Sequence, residues 1–173
     1  MLILETLATA AKARLLAAAL AGGNVDLHRD PPSTDDRLPL ANVTYETDRA
    51  AADGDPRTGT ADFVHTMTLV VDIVDTGATG AALMAKLAAH GEKVMLALIA
   101  DLSWGGDVLE GVHSVRQLTE KSPEGARIVY RRQIQIDLLY RSQWEPDASG
   151  LSDFDTAHID AGDGIGADVD VPT

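Results

Sequence analysis

The stretch from Arg127 to Arg141, RIVYRRQIQIDLLYR, constrains the fold most. Successive side chains of a strand point to opposite faces. Ile128, Tyr130, Arg132, Ile134, Ile136, Leu138 and Tyr140 therefore share one face, and Val129, Arg131, Gln133, Gln135, Asp137, Leu139 and Arg141 share the other. The first face is mainly apolar and the second mainly polar. A long strand with one buried and one wet face belongs to an antiparallel sheet covered by helices on one side.

DFVHTMTLVVDIVD repeats the pattern. Phe63, His65, Met67, Leu69, Val71 and Ile73 form the face turned to the core, with Val64, Thr66, Thr68, Val70, Asp72 and Val74 opposite. LPLANVTYETD reads as a short strand over Leu40 to Thr47, and VLEGVHSVRQLTE, whose faces are mixed, as an edge strand. Residues 3–20 carry apolar positions at helical spacing (Ile3, Leu7, Ala11, Leu15, Ala18), and Gly22 and Gly23 stop that helix. A second helix is expected over TGATGAALMAKLAAHGEKVMLALIADL, where Gly91 marks a bend or a join. The segments 28–39 and 49–62 are punctuated by Pro and Gly and read as loops. The expectation is an α/β (α+β) fold: a small mixed, mainly antiparallel four-stranded sheet with helices packed on one face, in the order α-β-β-α-β-β. Residues 1–143 form a single domain, and residues 144–173 an acidic C-terminal tail, flexible or ordered on a partner.

Composition narrows the chemistry. Apolar residues make up 45% of the 173, enough for a core, but aromatics only 4%, so that core rests on Leu, Val, Ile and Ala. There are no cysteines, which excludes disulfides, zinc-thiolate sites and a cysteine nucleophile. The apolar N-terminal stretch carries Glu5, Lys12 and Arg14, the wrong placement for a signal peptide or a membrane span, so no membrane partner is expected. It reads as an amphipathic helix of an intracellular protein. The net charge is −13. From Ser142 onward the chain has acids (Glu145, Asp147, Asp153, Asp155, Asp160, Asp163, Asp168, Asp170) and no Lys or Arg. An acidic body argues against nucleic acid as the main partner, because phosphate binding needs a concentrated cationic surface.

No catalytic or metal motif emerges. His28, His65, His90, His113 and His158 never fall at ligand spacing. His65 and His90 both face inward and can meet, with satisfied structural histidines the plainer reading and a metal or catalytic pair the sharper one. No serine sits in G-x-S-x-G or S-x-x-K. SWGGD at 103–107 reads as a tight turn ahead of an oxyanion turn. The carboxylate pairs Asp35 with Asp36 and Asp53 with Asp55 lie in expected loops, without the apolar pocket that raises a carboxyl pKa. IDAGDGIGADVD near the C-terminus fails as an EF-hand loop, since glycines, or Ile165 and Ala167, fall where oxygen ligands are needed. It fails as a phosphate loop because neither strand nor helix flanks it. No cofactor and no catalysis are expected.

What remains is a sheet with a wet face, an exposed edge and a long polar loop carrying Arg49 and Arg57. Those are surfaces on which proteins assemble. Arginine, which clearly outnumbers lysine here, suits such interfaces through its planar fork, although ordinary solubility explains it equally well. The candidate interface residues are Arg49, Arg57, Arg131, Gln133, Gln135, Val112 and Arg116.

The order of an N-terminal helix, LPLANVTYETD, a polar loop, FVHTMTLVVDIV, a helix from about Ala78 to Asp101 leading through ALIADLSWGGDV, and a closing ARIVYRRQIQIDLLYR resembles the tail terminator (tail completion) proteins of long-tailed bacteriophages and related tail-like particles. The resemblance spans residues 3–141 and is one of order and hydrophobicity. The acidic tail departs from the plainest members of that family.

The resemblance implies an α/β subunit that forms a homohexameric ring, caps the finished tail tube, ends its polymerisation and meets the head connector or stopper protein. Partners would then be further copies of itself, the tube protein and the connector, with genomic DNA only passing through the lumen. The protein would be assembled in the host cytoplasm and reside in the neck of the virion. An acidic inner wall would suit a DNA channel, since repulsion keeps a transiting polyanion from sticking. Other readings are another neck or head-tail joining component, a small ligand- or cation-binding domain using the Asp-rich 153–170 region, and an enzyme without a recognisable motif.

Overall fold

The computed structural model describes residues 3–28, 38–53, 61–76, 79–124, 127–144, 156–159 and 167–170. Helix α1 (Ile3–Ala17) turns Leu7, Ala8, Ala11 and Leu15 inward at the three- and four-residue spacing of one helix face. It ends in a tight 3-10 segment, Leu20–Gly23, where Gly22 and Gly23 take φ of +67° and +91°. A side chain opposes that left-handed backbone, so glycine suits the reversal. The chain then enters β1 (Val25–Leu27), β2 (Leu40–Asp53), β3 (Ala61–Thr76), α2 (Gly80–Leu98), a second 3-10 segment (Leu102–Val108), β4 (Leu109–Glu124) and β5 (Arg127–Trp144). Two further short strands, β6 (Thr156–Ile159) and β7 (Ala167–Asp170), pair antiparallel with each other in a sheet of their own.

The main sheet has the order β1-β2-β3-β5-β4. Only β1 with β2 is parallel; the other pairs are antiparallel. The sheet is thus five-stranded rather than four-stranded, and the order of elements around it is α-β-β-β-α-β-β. The extra strand is β1. Its three residues are too few to display an alternation, and its pairing with Ala41–Val43 is dictated by the tertiary fold. The chain from Arg49 to Asp53, expected as loop, continues β2 as one side of a long hairpin whose last pair is Asp53 with Asp62. The cross-strand partner overrides the weak strand propensity of Asp, Arg and Ala there.

Both helices pack on one face, as the alternation of β3 and β5 requires. Leu83, Leu87, Val94 and Leu98 of α2, with the inward side chains of α1, cover Met67, Leu69, Val71, Ile73, Ile134, Ile136 and Leu138. Each fully buried large aliphatic side chain contributes about 2 kcal/mol by leaving water. α2 is a single helix begun by Thr79, whose hydroxyl accepts from the Ala82 amide at 3.4 Å. Gly91 does not break it. The glycine is buried in the helix against Arg132, and a Cβ there would lie 2.8 Å from Nε of that guanidinium. α1 and α2 are joined by Arg14, which donates to the Ala97 carbonyl at 3.3 Å and to Asp101 at 2.5 Å. Among the described residues, no helix is long and apolar enough to cross a membrane.

Candidate functional site

The face of the sheet opposite the helices carries a chain of hydrogen bonds across four strands. Thr47 of β2 meets Thr68 of β3 at 2.9 Å, Thr68 donates to Asp137 of β5 at 2.7 Å, and Ser114 of β4 donates to the other oxygen of Asp137 at 2.6 Å. Because the Thr68 proton is committed to Asp137, Thr47 is the donor in the first link. Burial alone would push the Asp137 carboxyl up. The Ser114 and Thr68 donors, aided by the fields of His113 and Arg116, outweigh it and hold the carboxyl below its usual range.

Three irregularities in pairing build this row. An extra residue, Glu46, interrupts the β2–β3 ladder between Tyr45 and Thr47, and β4 slips between Leu109 and Gly111 and again between Val112 and Ser114. A bulge re-aims every side chain beyond it. Thr47 and Arg49 therefore leave the face they would share with Tyr45 and join Thr66 and Thr68. The result is a polar groove of about 490 Å³ floored by Thr66, Thr68, Gln135 and Asp137 and flanked by Glu46, Thr47, Arg49, His113, Ser114 and Arg116.

The expected interface residues fall into distinct settings. Arg49 and Arg116 line the groove. Arg131 is on the same face but is already gripped by Asp72 in a two-pronged pair, Nε–Oδ1 2.9 Å and Nη2–Oδ2 2.6 Å, which raises its pKa. Gln135 donates to Gln133 at 3.1 Å and also floors the groove. Val112 is half-buried and packs against the core on the helix side, so it is not part of the face. Arg57 lies outside the described residues. The edge strand is exposed throughout 113–121, with Val115 and Leu118 at 36% and 45% exposure. Arg141, not singled out from sequence, clamps the far end of the face, donating to Glu110 at 2.7 Å and Asp53 at 2.5 Å.

His65 and His90 do not meet in a shared site. His65 instead joins Asp48, Ser142 and Tyr140. Its Nδ1 lies 3.1 Å from Asp48 Oδ2, its Nε2 lies 2.7 Å from Ser142 Oγ, and the Tyr140 hydroxyl donates to Asp48 at 2.9 Å. The order Ser–His–Asp is that of a nucleophile, base and orienting acid. Here the serine lies within a strand ladder opposite Phe63, and none of the three residues lines the groove. The network fastens β2, β3 and β5 together. His90 on α2 is half-buried, and its Nδ1, like Arg132 Nε, has no hydrogen-bond partner among the described residues. Among the described residues, no group of three His, Asp or Glu is placed to hold a metal ion. The proposed cation region at 153–170 falls largely outside the described residues.

No family model and no curated protein sequence matches the chain. Among solved structures it is similar to a chain of the virion of a native gene transfer agent particle, with 21% sequence identity and a TM-score of 0.41 over 76% of this chain and 92% of that one.

Proposed function

We propose that the protein is a structural assembly subunit of a phage-like particle, and specifically a tail terminator: a ring of copies that caps the tail tube, ends its polymerisation and joins it to the head connector. The observation that carries this reading is the sheet face that none of the described helices covers. It is polar, concave and crossed by a continuous hydrogen-bond row, and it adjoins an edge strand exposed over 113–121. A closed ring needs a head-to-tail interface between unlike patches, and a sheet edge beside a polar groove supplies one. The order of helices and strands in the sequence supports the same reading. No catalytic step or cofactor is assigned. The partners are further copies, the tube protein and the connector or stopper, with DNA in transit through the lumen; the place is the virion neck, after assembly in the host cytoplasm.

The test is the mass of the full-length protein by light scattering at several concentrations, alone and mixed with polymerised tail tubes. A hexamer, or tubes whose growth stops at a bound ring, bears the reading out. A monomer that neither binds nor arrests tubes overturns it.

A further inference from the structure

The open face treats its arginines unequally. Arg131 is paired with Asp72, and Arg141 with Asp53 and Glu110. Arg49 and Arg116, on the two walls of the groove, form no ion pair among the described residues, although Arg116 lies in the field of Asp137. The groove's own acids already have partners. Asp137 accepts from Ser114 and Thr68, and Glu46 lies in the field of Arg131. Two guanidinium forks on a concave polar surface are a receptor for carboxylates, which they bind through paired, charge-assisted hydrogen bonds.

We propose that this groove receives the acidic C-terminal segment, residues 145–173, of a second copy of the chain. The inference rests on the ring reading and names the contact that closes it. The segment carries eight carboxylates and no Lys or Arg, more than half of the net charge of −13. Copies this acidic repel one another unless acids of one meet cations of the next. Groove and tail are unlike patches, as a head-to-tail interface requires.

The spacing fits. Arg49 stands opposite Thr66, which pairs with Leu139, whereas Arg116 stands opposite Gln135. The two arginines are thus three strands and four residues apart, about 20 Å at ordinary strand spacing and rise. An extended chain covers that distance in about six residues. Asp155 lies five residues before Asp160 and eight before Asp163, and Asp153 lies seven before Asp160.

The chain has no cysteine, so engineered pairs report contacts cleanly. Two full-length forms of different size are mixed, one carrying Thr66→Cys in the groove and the other Ser152→Cys in the tail, and oxidised mildly. The expected result is a disulfide between copies, formed about tenfold more than when Lys86→Cys on the exposed side of α2 replaces Thr66→Cys, and lost when Arg49→Glu and Arg116→Glu are added. Equal yield at Lys86, insensitivity to the charge reversals, or a crosslink formed only within one chain when both cysteines share it overturns the proposal. A hexamer in light scattering with no groove crosslink overturns the tail contact and leaves the ring reading standing. A monomer with neither crosslink nor tube binding fails both.

Discussion

His65 and Tyr140 stack face to face on adjacent strands, ring centroids 4.4 Å apart and planes 16° from parallel, and both reach the same carboxylate, Asp48. Tyr140 belongs to the buried core while His65 and Asp48 are partly exposed, so polar contacts meet aliphatic packing there. Tyr140 is 2% exposed, and its hydroxyl is therefore a buried donor whose partner matters.

Tyr140→Phe is expected to lower stability by about 1–2 kcal/mol, since it strands Asp48 without one donor. It also changes the alkaline limb. Burial, reinforced by hydrogen bonding to Asp48, pushes the phenol well above its ordinary 10.0. Above pH 10 the unfolded chain releases this proton and the folded one holds it, so the associated stability is present below that pH and is lost as pH rises. Urea midpoints at pH 8 and 10.5 should fall less in the variant than in the wild type. An equal fall in both would count against this account of Tyr140.

How much of this was legible in the sequence depends on the bulges. The alternation of β3 and β5 is uninterrupted, and it correctly puts His65 and Tyr140 on the helix side and Arg131, Gln133 and Gln135 opposite. In β2 the extra residue Glu46 inverts the parity, sending Asp48 to His65 and Arg49 to the groove. Nothing local in YETDRA announces that inversion, because it is set by the register with β3. Ser114 and Val112 were hidden by the two slips in β4 in the same way. Strand β1 was too short to leave a pattern, and the row from Thr47 to Ser114 exists only once four strands are in register. The helices, by contrast, were readable because each buries its own periodic stripe.

The glycines at 105 and 91 should respond oppositely to alanine. A Cβ on Gly105 would lie 2.3 Å from Cβ of Leu109, an atom fixed to the backbone of β4, so the turn after α2 must move. Gly105→Ala should cost about 2–3 kcal/mol by overpacking. At Gly91 the obstacle is the movable Arg132 guanidinium, and helix propensity returns about 1 kcal/mol. Thermal melts should therefore rank Gly105→Ala far below Gly91→Ala. The reverse ranking would mean that the 102–109 turn is not held as described.

Asp137 should give the groove an acid-sensitive component. Its folded pKa lies below the ordinary 3.8, so the stability it contributes is present above that value and is lost as pH falls through the folded pKa. Asp137→Asn should cost about 1–2 kcal/mol near pH 6, and the gap to wild type should narrow toward pH 2.5. Urea unfolding at the two pH values measures it. A gap that stays constant would assign the loss to packing instead of to the charged hydrogen-bond row.

His90 on α2 gives the helix side of the sheet its own pH dependence. Burial lowers its pKa below 6.5; Asp75, itself 4% exposed, opposes that shift, and Lys93 and Lys86 add to it. As pH drops below 6.5 the unfolded imidazole takes up a proton before the folded one does, so stability present above 6.5 is lost on acidification. Two measurements follow from the arrangement of charges. The His90 ring resonances should titrate below 6.5 in the wild type and lower still in Asp75→Asn, where an acid favouring the imidazolium is gone. His90→Gln should flatten the change in urea midpoint between pH 7 and pH 5. If Asp75→Asn instead raises the His90 midpoint, the carboxylate does not act on this ring, and the buried nitrogen without a partner requires a different neighbour.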